Sequence, residues 1–141
     1  MFTSQLPDDE DYRVVFSAYA ERHYMKRFAK DYKGKRWTLT QDSIFQELKR
    51  VHNLQKTQQV DQLKTGADCL LFKYDFAVAQ TGVSPKGSGN RCIVFLDIAT
   101  RLETVLVVYG KGDLPKNQPE TQHVFSTVSK EFRDFWERLG Q

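Results

Sequence analysis

The sequence predicts an α+β domain in the order β-α-α-β-β-β-α, with an antiparallel sheet of about four strands and helices packed mainly on one face. Three observations carry that prediction. "CLLFKYDFAVA" (69–79) puts Leu70, Phe72, Tyr74, Phe76 and Val78 on one face, and Lys73 and Asp75 on the other, the period of a strand. "RCIVFLDIA" and "TVLVVYG" follow as apolar runs joined by short turns, the pattern of an antiparallel meander. Phe125, Val128, Phe132, Phe135, Trp136 and Leu139 then recur at helical spacing near the end of the chain.

The first half supplies the other elements. "YRVVFS" (12–17) reads as a short strand, with Ser17 placed to cap a helix. In that helix Ala20, Tyr24 and Phe28 recur every fourth residue, widened by Met25 and Tyr32, until Gly34 ends it. A second helix is expected from near Thr38–Thr40, where Thr38 and Gln41 have capping-box spacing. Ile44, Leu48 and Val51 form its apolar stripe. Residues 52–68 read as a polar connection anchored by Leu54, Val60 and Leu63, and "TGVSPKGSGN" (81–90) as a turn. "GKGDLPKNQPETQ" carries two prolines, which exclude a helix through its centre.

At 141 residues the expectation is one domain, 1–141, with "DDED" (8–11) marking an acidic, flexible N-terminal segment over 1–11. No apolar run approaches the roughly 18 residues of a membrane span, and the N-terminus lacks signal-peptide character. A cytoplasmic location without membrane contact is expected. Cys69 and Cys92 have no CxxC partner, so neither zinc nor any other metal or cofactor is expected. A hairpin closing near 79 and 91 sets Cys92 opposite Val78 and Cys69 near 101, too far apart for a disulfide.

Charge is unevenly arranged. Residues 18–37 hold seven Lys or Arg (Arg22, Lys26, Arg27, Lys30, Lys33, Lys35 and Arg36) against two acids. Such a run fits the phosphates of a nucleic acid, or simply a solvated helix face.

"SPKGSGNRCIVFLD" and "LETVLVVYGKGDLPKNQPETQ", in this element order, resemble the RelE/HigB-type toxins of bacterial type II toxin–antitoxin systems, in the RelE/ParE superfamily. Members similarly carry a small-residue turn, an Arg opening a strand, and a strand ending in aromatic–x–Lys before a polar loop. The resemblance implies a RelE-like fold and a metal-independent endoribonuclease, or mRNA interferase. Such a toxin acts on mRNA, often at the ribosome, where the substrate's 2′-hydroxyl attacks the adjacent phosphate. It also implies a cognate antitoxin protein as partner, and contact of the basic helix with rRNA.

Carried onto this chain, Arg91 matches the strand-opening Arg and would hold phosphate oxygens as charge builds. Lys111 matches the Lys after the last strand, for charge stabilisation or acid duty, and period two puts it beside Tyr109. Tyr109 would transfer a proton or stack on a base, and Lys86 would reach the phosphate from the turn. The plainer alternatives are an Arg91 pair with Asp97 or Asp113, a core tyrosine, and a solvated Lys86. Many members place a histidine or acid near the last strand or C-terminus as proton acceptor. Among His23, His52 and His123, only His123 is placed to swing toward such a site. The alternative function is a weak or inactive RelE-fold protein that binds RNA or a protein partner.

Overall fold

A computed structural model describes residues 12–54 and 56–140, apart from the side chains of Tyr24 and Lys111. The acidic 1–11 segment lies outside the described residues. Strand β1 (Arg13–Phe16) leads into α1 (Ala18–Ala20), a π-helical turn (Glu21–Met25) and α2 (Lys26–Asp31). Helices α3 (Arg36–Lys49) and α4 (Val51–Leu54) follow, then β2 (Val60–Thr65) and β3 (Cys69–Phe76). A one-turn helix α5 (Pro85–Ser88) precedes β4 (Asn90–Asp97) and β5 (Leu102–Tyr109). A 3-10 turn (Lys111–Asp113), α6 (Glu120–Glu131) and α7 (Arg133–Leu139) complete the described chain.

The sheet has five strands in the order β1-β5-β4-β3-β2, antiparallel except for the parallel β1–β5 pair. The α+β class is as expected, with one strand more. That strand, β2, falls in the segment read as a polar connection. It is an edge strand with a register shift between Gln62 and Lys64, and Lys64 and Asp61 interrupt its apolar pattern.

Helices cover both faces, where the sequence suggested mainly one. The reason is visible in β3, β4 and β5: all three are buried along most of their length, on both sides. Neither face can then be left to water. On one face Phe28, Trp37, Ile44 and Leu48 of α2 and α3 meet Phe72, Tyr74 and Phe76, with Phe28 stacked on Trp37 at 4.9 Å. On the other, Val124 and Val128 of α6 and Leu139 of α7 cover Leu71, Ile93 and Phe95.

Local details depart from expectation for identifiable reasons. Ser17 caps α1, its side chain accepting the Ala20 N–H at 3.0 Å. The π turn then inserts a residue, so the core positions run Ala20, Met25, Phe28 rather than every fourth residue. Helix α3 starts at Arg36 without a side-chain cap, so the Thr38–Gln41 spacing is not used as a capping box. The C-terminal helix breaks at Phe132 into α6 and α7. The 81–90 turn contains α5, capped by Ser84 and closed by Gly89 at φ 77°, a left-handed conformation that glycine adopts without strain.

Because α5 occupies that connection, strand pairing starts at Phe76–Asn90, and the expected register shifts. Cys92 faces Tyr74 and Cys69 faces Asp97. The two thiols are buried and free, and belong to the cores on opposite faces of the sheet.

Candidate active site

Register builds the site. Asp75 lies directly opposite Arg91 across β3 and β4, and Arg91 directly opposite Tyr109 across β4 and β5. These three, with Lys73 two residues back on β3, share the face that α6 and α7 cover. The loop after β5 returns the chain so that α6 begins at Glu120, directly after Pro119. A carboxylate in the first turn is favoured there by the helix dipole.

Glu120 ties the group together. The Tyr109 hydroxyl donates to Glu120 Oε2 at 2.6 Å. Lys73 Nζ lies 3.4 Å from Glu120 Oε1 and 3.9 Å from Asp61 Oδ2. Arg91 Nε lies 2.9 Å from Asp75 Oδ1 and 3.9 Å from Glu120 Oε2, and Arg91 Nη1 donates to the Asn90 carbonyl at 3.1 Å. The Arg91–Asp75 contact is an ion pair without an aligned hydrogen bond. Side-chain exposure rises from 3% at Asp75 through 15% at Arg91 and 17% at Lys73 to 29% at Glu120. Asp75 is thus the base of the cluster and Glu120 its rim.

The carboxylates are pushed in opposite directions. Burial raises the Asp75 pKa, and the attraction of Arg91 and Lys73 does not fully offset it. Burial acts the same way on Glu120, but the Tyr109 hydrogen bond and the charges of Lys73 and Arg91 outweigh it and hold this carboxyl below its usual range. Burial, then the Glu120 hydrogen bond, pushes the Tyr109 hydroxyl far up, so it keeps its proton. Paired titratable groups split in this way suit acid–base work. Among the described residues, no set of three or more His, Cys, Asp or Glu is arranged to hold a metal ion.

The residues singled out by sequence fall in several places. Arg91 and Tyr109 are in the cluster. Lys86 is exposed on α5, near enough for its charge to lower the Asp75 pKa. His123 lines a small cleft with Tyr109, Asp113 and Leu114. The Lys111 side chain lies outside the described structure. Its backbone is in the 3-10 turn, so strand alternation from Tyr109 does not extend to it. Neither Asp97 nor Asp113 pairs with Arg91: Arg138 holds Asp97 at 2.9 Å, and Arg27 holds Asp113.

On the basic segment Arg22, Lys26, Lys30, Lys33, Lys35 and Arg36 are exposed. Arg27, partly exposed, is instead held by Asp113 and Asp31. Lys73, Asp75 and Glu120 were missed as site residues. The first two fit the solvent face of an alternating strand, and Glu120, the first residue of α6, falls in the stretch that the sequence presents as a polar loop.

No protein-family model matches the chain, and no curated protein matches it. Among solved structures, the archaeal RelE–RelB complex from Pyrococcus horikoshii OT3 has a similar chain, at 12% sequence identity and a TM-score of 0.48. The match covers 74% of this chain and 99% of that one. A likeness at this level leaves the chemistry to the residues themselves. Among the described residues, no helix is long and apolar enough to cross a membrane.

Proposed function

We propose that this protein acts on RNA as a toxin of the RelE/HigB type, cleaving mRNA through attack of a 2′-hydroxyl on the adjacent phosphate. The observation that carries the reading is the convergence of Lys73, Arg91 and Tyr109 on Glu120, from three strands and a helix start. Cleavage of this kind needs a proton acceptor, cations for the crowded phosphate and a donor for the leaving oxygen. Glu120, ionised and the most exposed of the cluster, is the proposed acceptor of the 2′-hydroxyl proton. Arg91 and Lys73 would offset the growing phosphate charge, with Lys86 at the rim. Tyr109, which keeps its proton, orients Glu120 by donating to it. Lys111, on the turn after β5, is the proposed donor to the 5′-oxygen.

The exposed basic residues of the first helices would follow RNA phosphates without reading sequence. A ribosomal site of action and a cognate antitoxin belong to the same proposal, supported by the sequence resemblance.

One observation favours a second reading, an inactive RelE-fold protein that binds RNA or a partner. Lys73 and Arg91 face three carboxylates, Asp61, Asp75 and Glu120, and Arg91 is 15% exposed and already paired. Induced expression of the wild type, Arg91→Ala and Glu120→Gln, with growth and primer extension on total mRNA, separates the two. Growth arrest with discrete cleavage, lost in both variants, supports the toxin. Intact messages from a folded wild type would leave the binding reading.

A further inference from the structure

Arg27 sits in the middle of the basic segment, yet its surroundings differ from those of its neighbours. Its side chain is 39% exposed, and its Nη1 donates to Asp113 Oδ1. Its Nε lies 3.5 Å from Asp31 Oδ2, and its guanidinium carbon lies 4.9 Å from the centre of the Phe28 ring. Asp113 uses its other oxygen on the turn itself, where Oδ2 accepts the Gly110 N–H at 2.7 Å. The Asp113 N–H in turn donates to the Gly110 carbonyl at 3.0 Å. One carboxylate therefore closes the 110–113 turn and docks it on α2. Burial alone would raise the Asp113 pKa, but hydrogen bonds from Arg27 and the Gly110 N–H hold it down.

The turn is also pressed against the start of β4. A Cβ at Gly110 would come within 3.1 Å of Asn90 Oδ1, 3.6 Å of Asp113 Oδ2 and 3.8 Å of Arg27 Nη2. Asn90 immediately precedes Arg91, and the turn carries the backbone of Lys111. Arg27 thus links the first helices to the segment that joins Tyr109 to Glu120.

We infer that Arg27 is a positioning residue rather than an RNA contact: through Asp113 it fixes the 110–113 turn, and with it the path of the chain from Tyr109 to Glu120. The part concerning cleavage rests on the proposed ribonuclease activity; the part concerning the turn does not.

The two roles give opposite results in one set of measurements on the full chain. Binding of a fluorescent single-stranded RNA is followed against salt for the wild type, Arg27→Ala and Lys26→Gln. A phosphate contact, once removed, lowers the log–log salt slope by about 0.7. Lys26→Gln is expected to lower it, whereas Arg27→Ala leaves it unchanged. Amide exchange at Gly110 is measured in the same proteins and in Asp113→Ala. Protection is expected to fall in Arg27→Ala and Asp113→Ala alike, and to stay at the wild-type level in Lys26→Gln.

Where the wild type cleaves RNA, Arg27→Ala is expected to lower kcat about 10- to 100-fold with KM unchanged, the range for a misplaced group. The double variant should be no slower than Asp113→Ala, because both changes act through one contact. A reduced salt slope in Arg27→Ala with unchanged Gly110 protection overturns the inference. Absence of cleavage by the wild type counts against the ribonuclease reading alone, because Gly110 exchange still decides whether Arg27 fixes the turn.

Discussion

Glu103 offers a sharp test of how this fold handles charge. It lies on β5 opposite Val14 and Leu96, it is fully buried, and neither carboxyl oxygen has a hydrogen-bond partner among the described residues. Burial pushes its pKa well up. The nearby Tyr12 hydroxyl likewise has no hydrogen-bond partner among the described residues, its pKa pushed up to about 12 by burial and then by Glu103. Replacing Glu103 by methionine removes the polar oxygens at similar volume. An unpartnered buried polar group costs about 1–3 kcal/mol, and an apolar replacement recovers it. At this chain length that is a rise in Tm of about 3–10 °C.

The sign with pH follows from the raised pKa. Above pH 4.5, the usual carboxyl value, the unfolded chain releases a proton that folded Glu103 keeps, so wild-type stability falls as pH rises toward the folded pKa. The Met variant lacks that loss. Its advantage should therefore be smallest near pH 4 and grow toward pH 8, as read from urea melts of both proteins across that range. A variant less stable at every pH, or an advantage independent of pH, would mean that Glu103 is neither unpartnered nor kept protonated by burial.

Other consequences are equally direct. Glu120 has a lowered pKa, so if it is the proton acceptor, the acid limb of the wild-type kcat/KM profile lies below pH 4.5, whereas a limb near pH 6.5 would implicate a histidine and count against Glu120. Its interactions stabilise the fold above the unfolded pKa and are lost as pH falls through the lower folded value. Gly66→Ala would set a Cβ 2.4 Å from the Arg138 carbonyl and 2.7 Å from Cys69 Sγ. A loss of about 1–3 kcal/mol in urea unfolding is expected, from forcing α7 off the β2–β3 turn; an unchanged midpoint would show that this packing is not as described.

The sequence made some of this readable and hid the rest for physical reasons. Strand β3 was legible because its apolar residues alternate, and β4 and β5 because their apolar runs sit between turn residues. The same continuous runs fit burial on both faces, a signal that the expectation of helices mainly on one face left unused. Strand β2 was hidden because an edge strand needs few apolar residues, and Asp61, Gln62 and Lys64 read as connection. Arg91 and Tyr109 stood out at strand ends. Lys73 and Asp75 did not, because a polar strand face looks the same whether water or a helix start covers it.

The missing signal was the register. Had pairing been counted from Phe76–Asn90, Asp75 would have fallen opposite Arg91. Glu120 could not be placed from local pattern, since only the path of the loop after β5 brings it to Tyr109. Arg27 shows the converse: composition groups it with its basic neighbours, and only the fold separates it from them.

The proposed activity is breakage of RNA by 2′-hydroxyl attack. The direct measurement is end-group analysis of a synthetic RNA incubated with purified protein and ribosomes, alongside the same RNA carrying a single 2′-deoxy nucleotide at the cut. Cleavage to a 2′,3′-cyclic phosphate and a 5′-hydroxyl, abolished by the deoxy nucleotide and by Arg91→Ala, is the predicted result. An intact RNA, or cleavage that survives the deoxy nucleotide, would contradict it.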